Sequence, residues 1–143
     1  MKNIKYLRKF MKSICIDLDI KMPVLEISSD FPTPTTLALY DSEFDKIKIR
    51  KSYEVPFDLF FSVAHELRHK YQIMYNTCDL SYYTSSNKIS KREYNLQSAE
   101  IDANAYAYLI MKVTFNVECF FNGLDKDIIE TIKDKTMQIA NNP

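Results

Sequence analysis

The chain has 143 residues, of which 46% are hydrophobic and 27% are charged, a composition typical of an ordinary globular protein. Because domains commonly have about 100–150 residues, the length predicts a single domain over residues 1–143. Lysine plus arginine equals aspartate plus glutamate, at 19 each, so no global charge favours direct binding to nucleic acid or to anionic lipid.

The first predicted element is an amphipathic N-terminal helix over residues 1–20. Its apolar positions recur at spacings of three and four, as expected for a helix with one buried face: Ile4, Leu7, Met11, Ile14 and Leu18. Basic side chains interrupt this segment, so it lacks the pattern of a signal peptide, and no apolar stretch of the chain reaches the ~20 residues of a membrane span. The three cysteines are an odd number without a CxxC pair, which favours a reducing, cytoplasmic location.

Residues 24–51 predict a small sheet. Short strands are expected at 24–28, 35–40 and 46–51, the last two joined by the turn sequence DSEFD. In the last strand Ile47 and Ile49 alternate with basic residues, which is the period of a half-exposed strand. We interpret the last two strands as a hairpin at the edge of the sheet.

Three further helices are expected, over residues 56–75, 94–113 and 123–141, with a polar, tyrosine-bearing loop at 76–93. Pro56 suits the first position of a helix, and no helix-breaking residue interrupts 57–75. A helix, a small sheet and then several helices together predict an α+β fold.

The residues that indicate chemistry are His65, Glu66 and His69, which form an H-E-x-x-H motif within the helix at 56–75. The i, i+4 spacing places both imidazoles on one helix face, where each can reach one zinc ion. Glu66 then stands beside the metal as a candidate catalytic base. The two histidines are the only ones in the chain, which makes an incidental pair less plausible.

A catalytic zinc usually has three protein ligands, and no third histidine exists, so the third ligand has to be a carboxylate or a cysteine. Glu100 on the helix at 94–113 is the best candidate, with Asp102, Glu93 and Cys78 as alternatives. One face of that helix carries Glu100, Ala103, Asn104 and Ala107. The alanines allow close approach to the metal-bearing helix, and Asn104 is placed to accept a hydrogen bond from a ligating histidine.

Two sequence blocks, FFSVAHELRH (60–69) and EIDANAYA (100–107), resemble the gluzincin pattern of ImmA/IrrE-type zinc metallopeptidases. Short phage and mobile-element proteins with a HELRHxxQ motif are similar as well, and Gln72 matches their glutamine. The resemblance covers about residues 35–112. Arg68 departs from the ImmA/IrrE pattern, which often has glycine there.

The resemblance implies a minimal gluzincin fold, with an edge strand near 46–51 that lies alongside an extended substrate. It implies that His65, His69 and Glu100 bind Zn²⁺ and that Glu66 is the base. It also implies a protein substrate, which in ImmA/IrrE-type proteins is often a helix-turn-helix repressor. Tyr82 or Tyr83 is a candidate for stabilising the oxyanion.

Two functions remain open from the sequence. The first is a zinc-dependent peptidase that hydrolyses a peptide bond in a protein. The second is a non-catalytic, zinc-containing module of phage or mobile-element origin that binds another protein. Retention of Glu66 favours the enzyme, because a purely structural zinc site does not need that carboxylate.

Overall fold

The computed structural model describes residues 1–142, which form five helices and one three-stranded sheet, and this confirms the predicted α+β class. In chain order the elements are α1 (Ile4–Leu18), β1 (Val24–Ser28), β2 (Ala38–Asp41), β3 (Lys46–Arg50), α2 (Phe57–Tyr75), α3 (Lys91–Leu96), α4 (Ser98–Phe115) and α5 (Lys126–Asn141). The short helix α3 was not expected as a separate element. None of the helices within residues 1–142 combines the length and the apolarity needed to cross a membrane.

The sheet has the strand order β1-β3-β2, with β1 parallel and β2 antiparallel to β3. The predicted hairpin is present as β2–β3, but the prediction of an edge strand near 46–51 is wrong, because β3 is the central strand. The alternation of Ile47 and Ile49 with basic residues reports that one face of β3 is buried. The alternation does not indicate that β1, from earlier in the chain, pairs with the edge of β3 opposite β2. The edge strand beside α2 is β2.

Most of the core lies where α1, the sheet, α2 and α4 meet. Its fully buried members include Leu7, Met11, Ile47, Leu67 and Met111. A smaller cluster packs α4 against α5, through Ile101, Ala105, Ile128 and Ile132. Because both clusters share α4, every residue from 99 to 107 is buried, and polar side chains in that stretch must find partners inside the protein.

The turn between β2 and β3 is fastened to α2 by a buried lysine. Lys70 is 3% exposed, and its ammonium lies 2.8 Å from the Asp45 carboxylate and also donates to the carbonyl of Lys21. Asp45 in turn accepts a hydrogen bond from the Tyr40 hydroxyl at 3.0 Å. These contacts hold β2 in place along the helix that carries the H-E-x-x-H motif.

Candidate metal centre

The structure brings His65, His69 and Glu100 together between α2 and α4. The two histidine Nε2 atoms are 3.0 Å apart, and they lie 3.1 Å from the Glu100 carboxylate oxygens Oε2 and Oε1, respectively. Glu100 is 2% exposed and lies in the first turn of α4, where the helix dipole favours a negative charge. Within residues 1–142 this is the one group of three such side chains close enough to share an ion.

The tautomer of His65 follows from its contact with Asn104. The Asn104 Oδ1 atom lies 2.8 Å from His65 Nδ1. An amide oxygen can only accept, so Nδ1 carries the hydrogen and donates it. In the neutral ring the lone pair is then on Nε2, which faces His69 and Glu100.

His69 is fixed in the same tautomer by Gln72. The Gln72 side-chain nitrogen donates to the Ala99 carbonyl at 2.9 Å and to Asp102 Oδ2 at 2.8 Å. Those two acceptors determine the orientation of the amide, so its oxygen, 2.8 Å from His69 Nδ1, has to accept from the ring. In sequence, Gln72 is distinguished only by its match to the HELRHxxQ pattern. The structure gives it a role beside the histidine.

Asp102, the first alternative ligand, lies outside the cluster because Arg68 holds it. The Arg68 guanidinium donates to both Asp102 carboxylate oxygens, at 2.7 and 3.0 Å. It also stacks over the rings of Tyr71 and Tyr106, with centroid distances of 4.4 and 4.8 Å. Arg68 therefore holds the carboxylate that orients Gln72, and Gln72 orients His69.

The other two alternatives are also away from the histidines. Glu93 is exposed at the start of α3, where its backbone N–H donates to the Ser90 hydroxyl and its carboxylate accepts from that same hydroxyl. Cys78 is half-buried, and burial raises the pKa of its thiol. Neither side chain belongs to the cluster formed by His65, His69 and Glu100.

Glu66 lies beside the cluster and is oriented by β2. Its Oε2 accepts a hydrogen bond from the backbone N–H of Tyr40 at 3.1 Å. Burial raises the pKa of the Glu66 carboxyl, although His65 and His69 oppose that rise. Glu66 and His69 line a cleft of about 500 Å³, whose other walls include Leu39, Tyr40, Ile73, Leu80 and Tyr83.

Two tyrosines contact the outer side of Glu100. The hydroxyls of Tyr83 and Tyr94 lie 2.8 and 3.0 Å from its Oε1. Burial and the charge of Glu100 raise the pKa of both phenols, so both hydroxyls stay protonated and donate. Tyr82, the other tyrosine considered for the oxyanion, is 86% exposed and does not line the cleft. Nothing in the local sequence around Tyr94 indicates its contact with Glu100.

The cluster has a strong requirement for positive charge. Burial lowers the pKa of His69, but the hydrogen bond and the charge of Glu100 outweigh it and raise that pKa to about 9. Burial raises the pKa of Glu100, but hydrogen bonds from the two histidines outweigh this effect and hold it far below its usual range. Two imidazole lone pairs and a carboxylate point at one another, and this arrangement attracts a cation. When no metal is bound, a proton on the histidines supplies the positive charge.

The donor set suits a divalent metal ion. Zinc takes histidine nitrogen and carboxylate oxygen at about 2.0–2.2 Å, which places neighbouring tetrahedral ligands roughly 3.3–3.5 Å apart. The separations of 3.0–3.1 Å between these donor atoms are close to that spacing. Three protein donors, as opposed to four, are also the number found at catalytic zinc sites.

Comparison of the chain with protein-family models, with curated proteins and with solved structures gave no match.

Proposed function

We propose that the chain is a zinc-dependent peptidase of minimal gluzincin type, in which His65, His69 and Glu100 hold the zinc. The observation that supports this most is the convergence of three metal-binding side chains, in which Asn104 and Gln72 set the tautomers of the two histidines. The resemblance of residues 35–112 to ImmA/IrrE-type metallopeptidases agrees with the same ligand set.

Glu66 is the general base in this proposal. When bound, zinc supplies a Lewis acid that polarises a peptide carbonyl and lowers the pKa of a water molecule. The Tyr40 N–H holds Glu66 Oε2, which leaves the other carboxylate oxygen to take a proton and pass it to the leaving amine.

The substrate is a protein or peptide that lies extended along β2. Backbone bonding of the Arg50 N–H to the Leu37 carbonyl shows that the odd-numbered residues of this strand face β3. The carbonyls of Ala38 and Tyr40 therefore point away from the sheet, on the side of the cleft. Main-chain pairing at that edge would position an extended peptide next to Glu66. A transcriptional repressor is the substrate that the family resemblance suggests.

A Glu66→Gln variant tests the assignment. We expect it to bind zinc with the affinity of the wild-type chain and to lose peptidase activity by about 10²–10⁴-fold, because the amide cannot take a proton. The zinc-loaded proteins would be incubated with a proteome-derived peptide library, and new termini would be scored by mass spectrometry. Termini that appear with wild-type protein and not with Glu66→Gln support the enzyme.

A His65→Ala variant serves as the metal-free control and should lose both zinc and activity. Zinc bound at one equivalent by the wild-type chain, with no termini that depend on Glu66, would instead favour the protein-binding module. Failure of the wild-type chain to bind zinc would contradict both functions.

A further inference from the structure

A second concave surface lies at the N-terminal end of α2, where Phe60 lines it. It is a groove of about 830 Å³, bounded by α1, the start of α2 and the end of α4. None of the residues that line it also lines the cleft beside Glu66. Any ligand of this groove is therefore separate from a substrate in the cleft.

The floor of the groove is aromatic. Phe10, Phe60 and Phe115 form a triangle with ring centroids 5.1, 5.6 and 5.3 Å apart. At its rim Ile16 is 81% exposed and Tyr6 is 54% exposed. Apolar side chains that are concentrated at one concavity, and not scattered singly, are typical of a surface that another molecule covers.

The wall of the groove is positively charged. Lys9 and Lys12 line it, and no carboxylate does. They belong to an exposed basic row on α1 that also includes Lys5 and Arg8, and none of the four has an acidic side chain within 4.0 Å among residues 1–142. In a chain with a net charge of zero this is a local excess, so the groove presents an apolar floor beside unpaired cations.

We propose that this groove binds an acidic, amphipathic segment of a partner protein, with large apolar side chains on the phenylalanine floor and carboxylates beside Lys9 and Lys12. Charge complementarity of this kind selects the partner and speeds its association. A two-fold dimer through the same face would instead bring the lysines of both copies together. The Phe10 ring is 5% exposed and belongs to the floor, so a side chain of a bound peptide that enters the groove contacts more of this floor than a flat lipid surface would. This inference does not depend on the metal centre.

The test uses a displayed library of short random peptides, selected on the wild-type chain. Clones that also bind an Ile16→Arg/Phe115→Arg variant would be discarded, because that double substitution fills the groove with charge. We expect the retained peptides to be net negative and to carry two or more large apolar residues. A retained set without acidic enrichment, or no retained set at all, would overturn the proposal.

Charge reversal provides the second measurement. The retained peptides should lose affinity for Lys9→Glu/Lys12→Glu by roughly tenfold or more, with a steep dependence on salt, and should keep their affinity for the matched control Lys126→Glu/Lys133→Glu on α5. Circular dichroism would establish that all variants are folded. Equal losses in both variants would contradict a specific role of the groove. A dimer of the chain in sedimentation that Ile16→Arg/Phe115→Arg disrupts would also contradict the proposal. Binding to anionic phosphatidylserine vesicles, without any preference among peptides, would contradict it as well.

Discussion

The hydrogen bonds on Nδ1 of His65 and His69 decide which nitrogen each ring presents to Glu100, so at the scale of single residues Asn104 and Gln72 matter as much as the spacing of the histidines. We expect Gln72→Leu to weaken zinc binding by about 10–100-fold, because His69 loses the acceptor that fixes its tautomer. Competition with a chromophoric chelator measures that affinity. Gln138→Leu, an exposed position on α5, is the matched control, and an unchanged affinity in Gln72→Leu would contradict the role given to the amide.

The pH dependence of the metal-free chain follows from the pair formed by His69 and Glu100. The folded-state pKa of His69 is about 9, above its ordinary value of 6.5. The stabilisation of the folded state by this pair is therefore fully present below pH 6.5 and is lost as the pH rises through 9. Since Glu100 has a lowered pKa, its contribution persists above its ordinary value of 4.5. We expect the free energy of unfolding, measured with urea in the presence of a chelator, to fall between pH 6.5 and pH 9. An equal fall in Glu100→Gln would show that other groups are responsible.

The residues of the site that follow from local spacing could be predicted from the sequence, whereas the contacts that depend on tertiary structure could not. His65 and His69 are one helical turn apart, and Glu100 with Asn104 repeats that spacing on α4, so both pairs follow from helix geometry. Gln72 is three residues from His69, but its orientation depends on Asp102 and Ala99, which lie far along the chain. The contact of Tyr94 with Glu100 depends in the same way on the turn between α3 and α4.

At the scale of elements, the small residues of α4 allow it to lie against α2. Ala107 is fully buried in the same core cluster as Val63, Ala64 and Leu67 of α2, and it shares a helix face with Glu100 and Asn104. We expect Ala107→Leu to cost about 1–3 kcal/mol of stability by overpacking and to lower the zinc affinity by moving Glu100 from the histidines. Denaturant unfolding and a zinc titration measure the two effects.

Ala140→Leu is the matched control for that substitution, since Ala140 is exposed on α5 and the added methylenes meet solvent. A stability loss in Ala107→Leu without any change in zinc affinity would show that the two helices can separate without disturbing the cluster. That result would contradict the link between helix packing and ligand position.

The sheet shows why element order is harder to predict than element type. The alternation of Ile47 and Ile49 with basic residues predicts a strand at 46–51, because a strand with one buried face is apolar at every second position. Pairing between β1 and β3 is parallel and joins segments separated by a whole strand and its turns. A short-range pattern contains no signal for that partner, so the central strand was mistaken for an edge.

For the whole molecule, a bound metal would join α2 to α4 and should therefore stabilise the folded state. The two helices meet only in the folded chain, so the unfolded chain has no comparable zinc site. Zinc binding therefore adds to the free energy of unfolding. At a free zinc concentration of 100 times Kd the gain is about 2.7 kcal/mol, which for a chain of this size corresponds to a Tm increase on the order of 10 °C. Differential scanning calorimetry with and without zinc measures it, and a chelator should reverse it. Magnesium, which prefers oxygen ligands, should leave the Tm unchanged, and so should zinc added to His65→Ala. A similar increase in His65→Ala would mean that zinc binds elsewhere, and the proposed centre would then be wrong.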